Sequence, residues 1–137
     1  VKIWLRGGPA EIALTTPVPT PVVFTTYTNM DCGVSLNYPV DFTREEATNA
    51  ARLTSTISKE SIDIACAKTV PKPPLPKEKI SETTVASISA TVYHDASAKD
   101  GSPRDVVVFT HPKKQLEVAV FGFGEVFQNI LSSLKLL

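Results

Sequence analysis

The chain has 137 residues; fourteen basic and fourteen acidic side chains cancel to zero formal charge, with eleven prolines and only two cysteines. That length suits one domain, residues 1–137, with a substantial core, and zero net charge excludes recruitment of nucleic acid or membrane by bulk charge alone. No apolar run approaches the ~20 residues needed to span a bilayer, and no basic-then-apolar leader pattern opens the sequence.

In chain order, Lys2–Arg6 and Glu11–Thr16 alternate weakly around Gly7-Gly8-Pro9-Ala10, the pattern of a β-hairpin. Pro17, Pro19 and Pro21 force an extended path unsuited to a central strand. Val22–Tyr27 reads as a further extended piece, Asn29-Met30-Asp31 as a turn, and Cys32–Tyr38 as a strand. Asp41–Glu46 resembles a helix start, with Thr43 as cap and Glu46 three residues on. Alternation then takes over. Leu53, Ser55 and Ile57 oppose Arg52, Thr54, Thr56 and Ser58, and Ile62, Ile64 and Cys66 oppose Asp63, Ala65 and Ala67. Pro71–Lys77 is a stiff polyproline-like connection. Ala86, Ile88, Ala90 and Val92 form an apolar face, with Ser87, Ser89, Thr91 and Tyr93 opposite. Ala96–Pro103 is a small polar loop, and Arg104–Thr110 is a β-branched strand.

After His111-Pro112 the period changes. Leu116, Val120, Phe123, Phe127, Ile130, Leu134 and Leu137 recur every three or four residues, the stripe of an amphipathic helix about six turns long. A rival reading makes Leu116–Phe121 a strand that pairs back on 105–110 through a turn at His111–Lys114, and Gly122 and Gly124 favour it, since each costs roughly 1 kcal/mol in a helix interior. The unbroken spacing through both glycines favours the helix. One helix covers an extensive apolar sheet face poorly, so the pattern predicts a symmetric homodimer whose helices cross onto the partner's sheet.

The sequence offers little catalytic chemistry. His94 and His111 stand in no metal-ligand spacing, and no GxSxG, phosphate-binding loop or GxGxxG occurs. The expectation is therefore no enzyme, no catalytic or metal site and no cofactor. Cys32 and Cys66, without a CxxC, read as two buried free thiols rather than a disulfide or a metal site.

The element order resembles the coat proteins of the single-stranded RNA bacteriophages. The residues that carry the resemblance are the hairpin at Lys2–Thr16, the last strand at Arg104–Thr110 and the helix from Lys113 to Leu134. The resemblance implies an α+β fold: an N-terminal β-hairpin, an antiparallel sheet of about five strands, and a C-terminal helix packed on the partner's sheet. It implies a capsid protein assembled in the host bacterial cytoplasm into an icosahedral virion, with no membrane partner. Leu116, Val120, Phe123, Phe127, Ile130 and Leu134 would form the dimer interface. A single-stranded RNA hairpin would lie on the helix-free sheet face at Arg52, Thr54, Thr56, Ser58, Ser87, Ser89, Thr91 and Tyr93. The Ala96–Pro103 loop would meet neighbouring dimers, without the cysteines that some relatives carry there. The alternative, from another class, is a secreted or periplasmic β-rich recognition module of adhesin or inhibitor type.

Overall fold

A computed structural model of the chain describes residues 22–137, so the expected hairpin at Lys2–Thr16 lies outside the described residues. The strands are β1 (Phe24–Asn29), β2 (Val34–Pro39), β3 (Phe42–Ala47), β4 (Ala50–Ser55), β5 (Ser61–Ala67), β6 (Ile80–Val85), β7 (Ile88–Ala96), β8 (Pro103–Thr110), β9 (Glu117–Gly122) and β10 (Lys135–Leu136). One helix, α1 (Glu125–Ser133), separates β9 from β10. Seven strands form an antiparallel sheet in the order β3-β4-β5-β9-β8-β7-β6, and β10-β2-β1 form a second sheet of three. The small sheet and α1 lie together on one face of the large sheet. Between them sits the main core, which includes Tyr27, Leu36, Leu53, Ile62, Ile64, Val118, Val120, Phe127 and Ile130.

This architecture overturns the five-stranded α+β fold with a helix on a partner's sheet. The long helix is the chief error. Residues 117–122 are the central strand β9, hydrogen-bonded to β5 on one side and β8 on the other. The rival reading, a strand returning through the turn after Thr110, is the one that holds. Val118, Val120 and Gly122 turn inward at strand period, and Phe127, Ile130, Leu131 and Leu134 do so at helix period. Val120 belongs to both series, so two short elements imitate one long stripe. Gly122 has a specific reason to lack a side chain: a Cβ there would stand 2.5 Å from Cδ1 of Phe127 and 3.1 Å from Cγ1 of Ile62. The close approach is to a ring of the same chain.

The helix expected to start at Asp41 is also a strand. Phe42 is buried, and the Arg44 guanidinium sits over the Tyr27 ring at 5.6 Å from its centroid. Strand β3 is an outer strand of the sheet among the described residues, and its Arg44-Glu45-Glu46 run is a charged composition of the kind that blocks edge-to-edge aggregation.

Cys32 and Cys66 are not free thiols. They form a disulfide, with Cα atoms 5.7 Å apart, between the turn after β1 and the inner face of β5. The bond ties the small sheet to the large one beneath it. Next to it, Gly33 at φ +72° carries no side chain where a Cβ would collide with Nε2 of His111 at 2.7 Å. That ring is fully buried. Its Nε2 donates to Gly33 O at 3.1 Å, while Nδ1 accepts from the N–H groups of Lys113 and Lys114. One neutral tautomer satisfies all three contacts.

Candidate functional site

The two faces of the large sheet carry different chemistry. On the outer face, turned away from α1, the registers place Tyr93, Val106, Phe121, Asp63 and Arg52 in one row across five strands. Arg52 Nε donates to Asp63 Oδ1 at 2.8 Å and Arg104 Nη2 to Asp63 Oδ2 at 2.7 Å, so two guanidiniums flank one carboxylate. Hydrogen bonding to Asp63 raises the Arg52 pKa further above its ordinary value. Arg104 also lies over the Phe121 ring at 5.5 Å. Mid-face, Val70, Val106, Val108 and Ala119 form a second small core with Tyr93 and Phe121 packed against it. The proline-rich connection after β5 is anchored there, because Glu117 accepts hydrogen bonds from the Val70 N–H and from the Lys72 ammonium.

The eight residues expected to contact RNA do not come together as one patch. Arg52 and Thr54 stand on β4, and Ser89, Thr91 and Tyr93 on β7, with β5, β9 and β8 between. At a strand spacing of about 4.8 Å, the two groups are about 19 Å apart. Thr56 and Ser58 lie in the turn after β4, with their hydroxyls engaged by Asp41 O and Glu60. Ser87 lies in the two-residue β6–β7 turn at φ +66°. Of the residues assigned to a dimer interface, Val120, Phe127, Ile130 and Leu134 are buried within their own chain. Leu116 packs against the same core, and Phe123 alone is largely exposed, at 51%.

The inner face holds the more specific arrangement. α1 crosses it without covering the β6–β8 flank, which leaves a groove of about 650 Å³. Its lining is mostly polar: Ser81, Thr83 and Thr84 from β6, His94 from β7, Asp105 from β8, and Gln128 and Ser132 from α1, over a floor of Val92, Val107 and Leu131. His94 pairs directly with Asp105 across the strands, and Ser81 pairs with Val92, two residues before His94. Directly opposed and diagonal residues on one face of a sheet are neighbours. The result is a hydrogen-bonded chain: Ser81 Oγ lies 2.9 Å from His94 Nε2, and His94 Nδ1 lies 3.1 Å from Asp105 Oδ1. Ionised Asp105 can only accept, so in the neutral ring Nδ1 carries the hydrogen and Nε2 accepts from the Ser81 hydroxyl. The Asp105 side chain is 12% exposed, whereas the His94 side chain is 48% exposed and open to the groove.

No family model matches the chain, and no curated protein matches it. A crystal structure at 1.50 Å resolution from Bacteroides thetaiotaomicron VPI-5482 is similar, with a TM-score of 0.58 at 9% identity, covering 82% of this chain and 48% of that one. The chain thus spans about half the length of that structure, and the likeness is one of fold alone. Among the described residues, no group of three or more His, Cys, Asp or Glu could hold a metal ion, and no helix is long and apolar enough to cross a membrane.

Ser81, Asp105 and the pairing of His94 with them leave no mark in the sequence. His94 follows the Ser87–Tyr93 alternation as an isolated histidine, and Ile80–Val85 has an apolar residue only at each end and so shows no strand period. The missing signal was pairing register: once β6, β7 and β8 are aligned, the three side chains share a face.

Proposed function

We propose that this chain is an extracytoplasmic recognition module that holds a polar ligand in the groove between β6–β8 and α1. The observation that carries this reading is the Cys32–Cys66 disulfide, built into the junction of the two sheets. Such bonds form and persist in oxidising compartments and are rare where thiols are kept reduced. The groove adds the second requirement of a recognition module, a concave surface with convergent hydroxyl, amide and imidazole groups above a small apolar floor. The coat-protein reading rested on a hairpin–sheet–helix order and on a sheet face lacking cover. The chain's own α1 and small sheet cover that face except along the β6–β8 flank, and a central strand with a nine-residue helix stands where that order requires a long helix, so neither argument supports it.

Two measurements test the proposal. Size-exclusion chromatography of the oxidised chain, followed at two wavelengths, should give a compact species free of nucleic acid; a large RNA-containing particle would overturn it. A panel of oligosaccharides and short peptides should then yield a ligand whose binding is lost in Gln128→Arg, which fills the groove from the exposed side of α1. Binding unchanged in a folded Gln128→Arg chain would remove the groove from the site.

A further inference from the structure

The geometry points to Ser81 as an acyl-accepting nucleophile, with His94 as its general base and Asp105 as the residue that positions the ring. This inference rests on the groove being the ligand site, and it adds covalent chemistry to binding. A serine hydroxyl is a weak nucleophile until a neighbouring base takes its proton, and the base must be held in one tautomer by a third group. Both conditions are met on adjacent strands: the hydroxyl lies 2.9 Å from Nε2, and Nδ1 lies 3.1 Å from a carboxylate that is mostly buried.

The sheet edge supplies a fourth element. Strand β6 is the last strand of its sheet among the described residues. Val85 and Ile88 close a two-residue hairpin with β7, so Val85, Thr83 and Ser81 form the hydrogen-bonded pairs with that strand. The Glu82 N–H therefore points to the open edge, one residue past the nucleophile. Its carboxylate is turned to the outer face, where Thr91 Oγ1 donates to it at 3.4 Å. That N–H is free of strand pairing and available as a backbone donor to an acyl oxygen at Ser81, the kind of group that stabilises a tetrahedral oxyanion.

The substrate class is a carboxylic ester with a small acyl group, presented along the open edge. As the Ser81 Oγ–carbon bond forms, the hydroxyl proton passes to His94 Nε2. Collapse of the tetrahedral adduct breaks the bond to the leaving alcohol, which takes that proton. Water then adds to the acyl carbon, again giving its proton to Nε2, and collapse returns Ser81 and releases the carboxylic acid. No further reactant is needed.

The test uses the intact oxidised chain with 4-nitrophenyl acetate, and a fluorophosphonate probe as a second reagent. Release of nitrophenol should exceed that of His94→Gln by roughly 10²–10⁴-fold, the usual contribution of a positioned general base, and Ser81→Ala should lose the acyl-enzyme altogether. Peptide mass mapping should place the acetyl and phosphonyl groups on Ser81. His94→Gln should lose both reactions while keeping its melting temperature. Asp105→Asn should slow turnover and change the pH–rate profile, which a purely structural role would not do. Ser89→Ala, on the outer face, should match wild type. Labelling spread over lysines, or a Ser81→Ala chain as active as wild type, would overturn the assignment. A ligand that binds the groove in a chain with no reactivity at Ser81 would overturn this inference and leave the recognition reading standing.

Discussion

Reducing or deleting the Cys32–Cys66 bond should destabilise the fold strongly. The bond closes a loop with a sequence separation of 34, for which the chain-entropy relation gives about 4 kcal/mol at room temperature. That is a large share of the roughly 5–15 kcal/mol that stabilises a typical domain. At this chain length each kcal/mol moves the melting temperature by about 3–5 °C, so a drop of about 12–20 °C follows. The placement adds to the effect, because the bond joins the turn that seats His111 to the inner face of β5. Thermal unfolding followed by far-ultraviolet circular dichroism, with and without reductant, reads the shift directly. The paired variant Cys32→Ala, Cys66→Ala should reproduce it, and reductant should not alter that variant further. A reduced chain with two titratable thiols and an unchanged melting temperature would refute the reasoning.

Other perturbations follow from particular contacts. Gly122→Ala sets a methyl group 2.5 Å from the Phe127 ring and should cost about 1–3 kcal/mol in a denaturant titration; a neutral result would mean that α1 shifts freely on the sheet. Phe127→Ala empties the fully buried centre of the core and should cost about 3–5 kcal/mol in the monomer, so a loss seen only in an oligomer would contradict its burial within one chain. The Glu117 carboxyl is held below its usual value of 4.5, first by the hydrogen bond from Lys72 and then by the Val70 N–H. A group whose folded pKa is depressed contributes stability above its unfolded value and loses it as pH falls through the folded one. Glu117→Gln should therefore flatten the decline of melting temperature below about pH 4.5, and an unchanged acid limb would dismiss this contact as a source of the pH dependence.

How much of this was legible in the sequence depends on where each residue sits. Strands with one face on the core declared themselves: Leu53 and Ser55, Ile62, Ile64 and Cys66, and Ile88, Ala90 and Val92 alternate as the structure requires. Edge strands did not. In β3 a single buried phenylalanine precedes charges that look like a helix start, and β6 reads Ile-Ser-Glu-Thr-Thr-Val because it lies beyond the cover of α1. Val120 hid the break between β9 and α1 by fitting both periods. The disulfide was not legible either, since two cysteines 34 residues apart carry no spacing signal and only the packing of the sheets brings them together. The same holds for Ser81, His94 and Asp105, whose proximity is a product of register.

A disulfide that staples the two sheets fits a chain that works in an oxidising compartment. Cell fractionation of the native source, with thiols alkylated at lysis and peptides mapped without reduction, tests it most directly. The chain should be found outside the cytoplasm, with the Cys32 and Cys66 peptides linked and unalkylated. A cytoplasmic chain with both cysteines alkylated would contradict it.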